Sequence, residues 1–178
     1  MAAKKKTKRK DASAPPPVRR AANDVRVTRA GDDAWELLHP RCAVERADDL
    51  EEVDSMLELG ETDVAREELR WLLSGCPNLI AAHQRLGEIA LEEGDLKLAR
   101  GHFGQAYRAG LKALRDAGMP SPLPQSRAAN ESFFAAGKGL AHCLLQLDKQ
   151  QMAREVVDVL LRCDPSDPLA LRQQIAAK

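Results

Sequence analysis

Aromatic side chains are scarce in this 178-residue chain: Phe, Trp and Tyr together make up 3% of it, whereas apolar residues make up 44%. So few large rings favour a core of Ala and Leu packed in close-fitting helices. No apolar run approaches the ~20 residues that a membrane-spanning helix needs, so we expect no membrane contact. The N-terminus is basic but has no apolar segment after it, unlike a secretory signal peptide. We therefore expect a cytoplasmic protein.

Cysteine pairs at metal-ligand spacing are also lacking. The close His/Cys pairs at 39–42 and 142–143 do not form the set of four ligands that a structural zinc site needs. We therefore predict neither a metal nor a cofactor. In a chain with an ample core, scattered cysteines are typical of reduced, intracellular thiols. The four are Cys42, Cys76, Cys143 and Cys163.

No set of residues predicts catalysis. The stretch Gly137-Lys138-Gly139 superficially resembles a phosphate loop. However, the spaced glycine and the Ser or Thr after the lysine are missing, and the stretch lies inside a predicted helix whose N–H groups are already bonded. The carboxylates are spread over helix faces, as on a solvated acidic surface. We predict that the protein is not an enzyme.

The formal net charge of zero conceals an asymmetry between tail and body. Residues 1–29 contain ten Lys or Arg and two Asp or Glu, so the remainder is acidic by the same amount. Mutual repulsion among the basic residues and the scarcity of large apolar side chains predict that residues 1–30 form a disordered tail. This tail is a candidate arm for nucleic acid or another polyanion, or a solubilising terminus. Its candidate binding residues are Lys4, Lys5, Lys6, Lys8, Arg9 and Lys10.

The central stretch 83–103 predicts two helices joined by a tight turn at Gly94-Asp95. On the first helix, Gly87 and its apolar neighbours share one face, and on the second helix Ala99 and Phe103 share the facing side. Small residues stand where two helices must approach closely, and bulky residues fill the space beside them. The stretch is therefore predicted to be a helical hairpin.

The same pattern occurs twice more in the same register. Thirty-four residues upstream, Gly60 and Ala65 take the positions of Gly94 and Ala99. Downstream, Ala153 takes the position of Ala99 after 54 residues, which corresponds to one repeat plus an insertion of 20. A single hairpin cannot bury its own apolar face, so stacked copies are the expected arrangement.

The spacing Leu-Gly-x-x-Ala followed by Ala-x-x-x-Phe resembles the tetratricopeptide repeat (TPR), a helix–turn–helix unit of 34 residues. The resemblance implies an all-α fold, a TPR-like α-solenoid of three helix–turn–helix repeats with short capping helices and a Pro-rich insertion. The repeat domain is expected to span residues 31–178. Within it we predict repeats at about 46–79, 80–113 and 134–167, the insertion at 114–133 and a C-terminal cap at 168–178.

Several connecting segments carry their own predictions. Residues 32–38 predict a short helix that caps the first repeat, or alternatively a docking motif for another protein. The stretch 95–117 predicts one long helix, in which Gly101, Gly104 and Gly110 are compensated by close packing against a neighbouring helix. The insertion is expected to follow an extended path across the surface, as a spacer or as a loop that reaches over a binding groove.

In TPR proteins the first helix of each unit lines a concave groove that binds ligands, and the resemblance implies the same here. Corresponding positions on the first helices of the three repeats predict three rows of side chains along the groove. One row is a continuous series of leucines, which suits an amphipathic helix or an extended peptide. Alternatively, these leucines pack against neighbouring helices. The groove candidates are Leu50, Asp54, Leu57, Gln84, Glu88, Leu91, Lys138, His142 and Leu145.

The predicted function is a non-catalytic protein–protein interaction scaffold that binds a peptide or helix in this groove. One alternative is a nucleic-acid- or ribosome-associated factor that uses the basic arm. Another is a self-associating structural protein whose repeat ends stack, which sedimentation over a concentration series would test.

Overall fold

The computed structural model describes residues 24–176 and is mostly helical. A two-stranded antiparallel hairpin precedes the helices, with Arg26 opposite Leu38 and Arg29 opposite Trp35. Within the described residues, no helix is both long and apolar enough to cross a membrane. The elements are β1 Arg26–Arg29, β2 Trp35–Leu38, α1 Arg41–Val44, α2 Ala47–Glu58, α3 Thr62–Gly75, α4 Ile80–Glu92, α5 Leu96–Asp116, α6 Ala128–Gln146, α7 Gln150–Cys163 and α8 Leu171–Ala176.

Three helical hairpins, α2–α3, α4–α5 and α6–α7, form the body of the protein. Each turns at a residue with positive φ: 76° at Gly60, 78° at Gly94 and 56° at Asp148. This left-handed conformation ends one helix and aims the chain back along it, and glycine adopts it without steric cost. The three predicted turns are confirmed, and so is the long helix α5.

Phe103 fixes the spacing between the second and third hairpins. A Cβ atom added to Gly87 of α4 or to Gly139 of α6 would lie 2.6 Å from its ring, so both glycines are required for the ring to fit. The predicted approach of α4 and α5 is therefore confirmed. Phe133 and Phe134, near the start of the third hairpin, are also buried. Most of the core extends from the β-hairpin through α5, α6 and α7, and a smaller cluster joins α2, α3 and α4.

The prediction of a helix at 32–38 is wrong, because the structure has strand β2 there. Asn130, which is fully buried, accepts a hydrogen bond from Leu37 N at 2.9 Å and donates to Trp35 O at 3.3 Å. Strand β1 also lies inside the tail that was predicted to be disordered, so the prediction of disorder is wrong for residues 26–29. The β-hairpin packs against α5 and α6, so it does not cap the first helical hairpin.

The insertion is shorter than predicted, because α5 continues to Asp116 and α6 already begins at Ala128. The connection at 117–127 is fixed at both sides. Leu123 N donates to Cys163 O at 2.8 Å, and Pro122 O accepts from Trp35 N at 2.9 Å. The insertion thus connects β2 to the C-terminal end of α7, which is the end of that helix away from its tight turn.

Two cysteines predicted to be reduced, Cys42 and Cys76, form a disulfide with a Cα–Cα distance of 5.7 Å. The prediction of four reduced thiols is therefore wrong for this pair, which ties α1 to the end of α3. Cys143 and Cys163 are free and buried. Burial raises the pKa of Cys163 to about 11, so its thiol stays protonated and unreactive at neutral pH.

Short helices lie at both ends of the helical region. At the N-terminal end, α1 is separated from α2 by a break at residues 45–46. At the C-terminal end, Asp167 accepts hydrogen bonds from the backbone N–H groups of Leu171 at 2.6 Å and Arg172 at 3.1 Å. Asp167 therefore caps α8, which begins at Leu171.

Candidate binding surfaces

The first helices of the hairpins, α2, α4 and α6, carry the nine groove candidates, and we call their shared surface the first-helix face. Its predicted row of leucines is largely occupied by packing. Leu57 packs on the smaller core cluster and Leu91 on the larger one, both half-buried, and Leu145 is only 6% exposed. These leucines therefore pack against neighbouring helices, which was the alternative given for them. Leu50 is likewise half-buried against the smaller cluster.

Polar residues link α2 to α4 on this face. The guanidinium of Arg85 contacts both carboxylate oxygens of Asp54, with Nε–Oδ1 and Nη2–Oδ2 distances of 2.5 Å. Such a two-point pair fixes orientation as well as charge. Asp54 is therefore engaged within the protein, and a ligand would have to share this carboxylate with Arg85.

Glu88 lies one helical turn after Gln84 on the same face of α4. Burial raises the pKa of the Glu88 carboxyl, whereas a hydrogen bond to Gln84 and the charge of Arg85 lower this pKa in part. The carboxylates of Glu92 and Asp54 raise this pKa further, so negative charge is concentrated here. This part of the face favours a cationic group.

The α6 end of the first-helix face has the opposite character. Lys138 is exposed and His142 is half-buried. The backbone carbonyl of Lys138 accepts a hydrogen bond from Gln174 Nε2 at 3.3 Å, so α8 lies beside this end of the face. The face thus has an acidic portion on α2 and α4 and a basic portion on α6.

The candidate residues of the basic arm, Lys4 to Lys10, lie outside the described residues.

Sequence reasoning also missed two features of α5. One is a cleft between α5 and α7, and the other is an imidazole pair that joins α5 to α4. In this pair His83 Nδ1 and His102 Nδ1 are 3.5 Å apart, and His83 Nε2 is 3.2 Å from Pro77 O. The 19-residue separation and the turn between the helices could have indicated this contact.

Burial lowers the pKa of both imidazoles, and nearby arginines lower it further. In two neutral rings at this distance, only one of the two facing Nδ1 atoms carries a proton. His83 donates from Nε2 to Pro77 O, so its Nδ1 accepts the hydrogen bond that His102 donates from Nδ1. Over residues 24–176 no group of three or more His, Cys, Asp or Glu side chains is placed to hold a metal ion. The pair links α4 to α5.

Comparison of the chain with protein-family models, curated proteins and solved structures finds no match. Functional inference therefore depends on the two surfaces themselves, the first-helix face and the cleft.

Proposed function

We propose that the chain is a non-catalytic protein-interaction scaffold of the TPR-like kind, which binds a peptide or helix of another protein on the first-helix face. One observation carries the proposal: three helical hairpins share a turn geometry and a sequence register, with left-handed residues at Gly60, Gly94 and Asp148. Repeated hairpins place corresponding helices side by side and so produce an extended surface suited to an extended ligand.

Recognition on this face would be mainly polar, because its leucines contribute to the core. A matching ligand carries basic side chains toward Glu88 and an acidic side chain toward Lys138. Charge complementarity of this kind sets the direction in which a peptide binds and excludes partners of the reversed polarity.

The test is quantitative affinity capture from native lysate with the intact chain, Glu88→Lys and Glu67→Lys. Glu67, an exposed residue of α3 outside the first-helix face, is the matched control. A protein that binds the intact chain and Glu67→Lys but not Glu88→Lys supports the proposal, provided that circular dichroism shows intact helices. Equal capture by all three chains would refute binding on this face.

A second candidate function, nucleic-acid or ribosome association, is favoured by the six basic residues among the first ten. Binding through this arm should weaken steeply between 50 and 200 mM salt, because Lys and Arg displace counterions from phosphates. Deletion of residues 1–23 should abolish it and leave the affinity of the first-helix face unchanged. Filter binding of a 20-nucleotide RNA over this salt range measures both effects.

A further inference from the structure

A cleft of about 500 Å³ separates α5 from α7, and α6 forms its floor. At its margin, Met152 is 51% exposed, although it belongs to the amphipathic helix α7. The apolar surface of the cleft is therefore formed by Met152 at the margin and by the small exposed parts of otherwise buried side chains. Its apolar lining includes Tyr107, Leu111, Leu140, Leu144, Val156 and Val159.

Two glycines of α5 keep this cleft open. A Cβ atom added to Gly101 would meet no atom within 4 Å, and one added to Gly104 would meet only Leu140 Cδ1, at 4.0 Å. Gly110 differs, because an added Cβ would lie 2.3 Å from the ring of Phe133. Compensation by close packing is thus confirmed for Gly110 and wrong for Gly101 and Gly104. Glycine destabilises a helix relative to alanine. Gly101 and Gly104 therefore leave space in the cleft at a cost to the stability of α5.

The border of the cleft is positively charged. Arg100, Arg108 and Arg115 lie along one side of α5, and Glu155 is the single carboxylate among the lining residues. Over residues 24–176, none of these three guanidinium groups forms an ion pair, whereas Lys112 of the same helix pairs with Asp24 and Asp116. Cations without partners beside apolar surface favour an anionic, amphipathic occupant.

We propose that this cleft binds an acidic amphipathic helix of another protein, at a site separate from the first-helix face. Its apolar side chains would lie on the floor, and its carboxylates would pair with the three arginines. Along α5 these arginines are spaced by about 12 and 10 Å at 1.5 Å per residue, which matches acidic residues seven or eight positions apart on a helix of about 16 residues. A single-stranded nucleic acid fits less well, because Tyr107, the aromatic residue of the lining, is buried and exposes no ring face for base stacking.

The experiment uses the full chain as bait for a phage-displayed library of random 16-residue peptides. We expect enriched sequences to combine Asp or Glu at spacings of seven or eight with Leu, Phe or Trp between them. Fluorescence anisotropy of the most enriched peptide, synthesised with a fluorophore, then gives its dissociation constant. Gly104→Leu fills the cleft and should weaken binding at least tenfold, while Gln105→Leu, an exposed position of α5 outside the lining, should leave it unchanged.

A second pair of variants tests the charges independently of the filling variant and of its folding. Arg108→Glu should also weaken the peptide at least tenfold, while Lys97→Glu, exposed on α5 outside the cleft, should change it less than twofold. Absence of an enriched acidic class overturns the proposal, and so does a peptide that binds Arg108→Glu as tightly as the intact chain. Tighter binding of a 16-nucleotide DNA, abolished by Arg108→Glu, would also overturn it, since the border would then recognise phosphate. Glu88→Lys should have no effect on the peptide, which separates this test from that of the first-helix face.

Discussion

Two adjacent residues at the start of α5 face opposite environments: Ala99 is fully buried, while Leu98 is 44% exposed. Ala99→Arg would force a charge between close-packed helices, so we expect it to lower the free energy of unfolding by roughly 4 kcal/mol or more. Leu98→Arg should change it by less than about 0.5 kcal/mol. Urea denaturation measures both, and equal stability of the two variants would contradict the packing of α5 described above.

Asn130 is a second residue on which the fold depends, because its side chain satisfies three backbone groups. It accepts from Leu37 N and donates to Trp35 O and Pro124 O. Asn130→Ala removes these three hydrogen bonds, although Pro124 O still accepts from Arg127 N, and the expected cost is roughly 2–4 kcal/mol. Ser126→Ala, an exposed change in the same connection, is the control and should cost little.

If Asn130→Ala instead unfolds at the same urea concentration as the intact chain, the attachment of β2 to α6 is not stabilising. Hydrogen exchange would separate a local effect from a global one, since we expect faster exchange first at Leu37 N.

At the scale of one element, α5 offers a matched pair of glycine substitutions. Gly101→Ala should stabilise the protein by about 0.5–1 kcal/mol, because the added methyl group meets open space and alanine favours a helix. Gly110→Ala should destabilise it by about 1–3 kcal/mol, because Phe133 must move. Thermal unfolding of the two variants should therefore shift in opposite directions.

The imidazole pair predicts how the contact between α4 and α5 responds to acid. Burial and neighbouring cations lower the pKa of His83 and of His102 below the ordinary value of 6.5, so the folded state holds both rings neutral. As the pH falls below about 6.5, the unfolded chain takes up protons that the folded chain does not, and stability decreases until the folded-state pKa values are passed.

The measurement is the urea midpoint as a function of pH between 7.5 and 5. The double variant His83→Asn, His102→Asn should show a flatter profile over this interval. An unchanged slope in the double variant would assign the acid sensitivity to other groups.

The hairpins could be predicted because their determinants are local. Gly60, Gly94 and their flanking alanines recur at a fixed spacing, and a tight turn between two helices needs nothing from elsewhere in the chain.

Strand β2 could not be predicted in this way. The segment 35–38 has a helix-like composition, and its extended form depends on partners from residues 122 and 130, far along the sequence. The cleft also escaped prediction, since glycines that allow close packing and glycines that leave a space look the same in a sequence.

At the scale of the whole molecule, the disulfide predicts a stability that depends on redox conditions. Cys42 and Cys76 are 34 residues apart, and closing a loop of this length restricts the unfolded chain enough to stabilise the fold by about 3–4 kcal/mol. We expect Cys76→Ser, or addition of dithiothreitol, to lower stability by an amount of this order. Cys143→Ser, at a buried free thiol, is the control for loss of a cysteine: it keeps the disulfide and should still lose stability with the reductant, whereas Cys76→Ser should not respond to it.

Thiol titration in denaturant checks the state of the protein. Two reactive groups correspond to the disulfide-bonded form and four to the reduced form. If the purified chain shows four groups and adding an oxidant does not change its unfolding, the link between α1 and α3 does not contribute to stability.

The hydrogen bond from Leu37 to Asn130 joins residues 93 positions apart, and this has a consequence during synthesis on the ribosome. At about 5–20 residues per second, β2 leaves the ribosome roughly 5–20 s before the helix that completes it. The first two helical hairpins are available to fold in that interval, because their contacts are local. The β-hairpin must wait, and it can join the protein only after α6 has been translated.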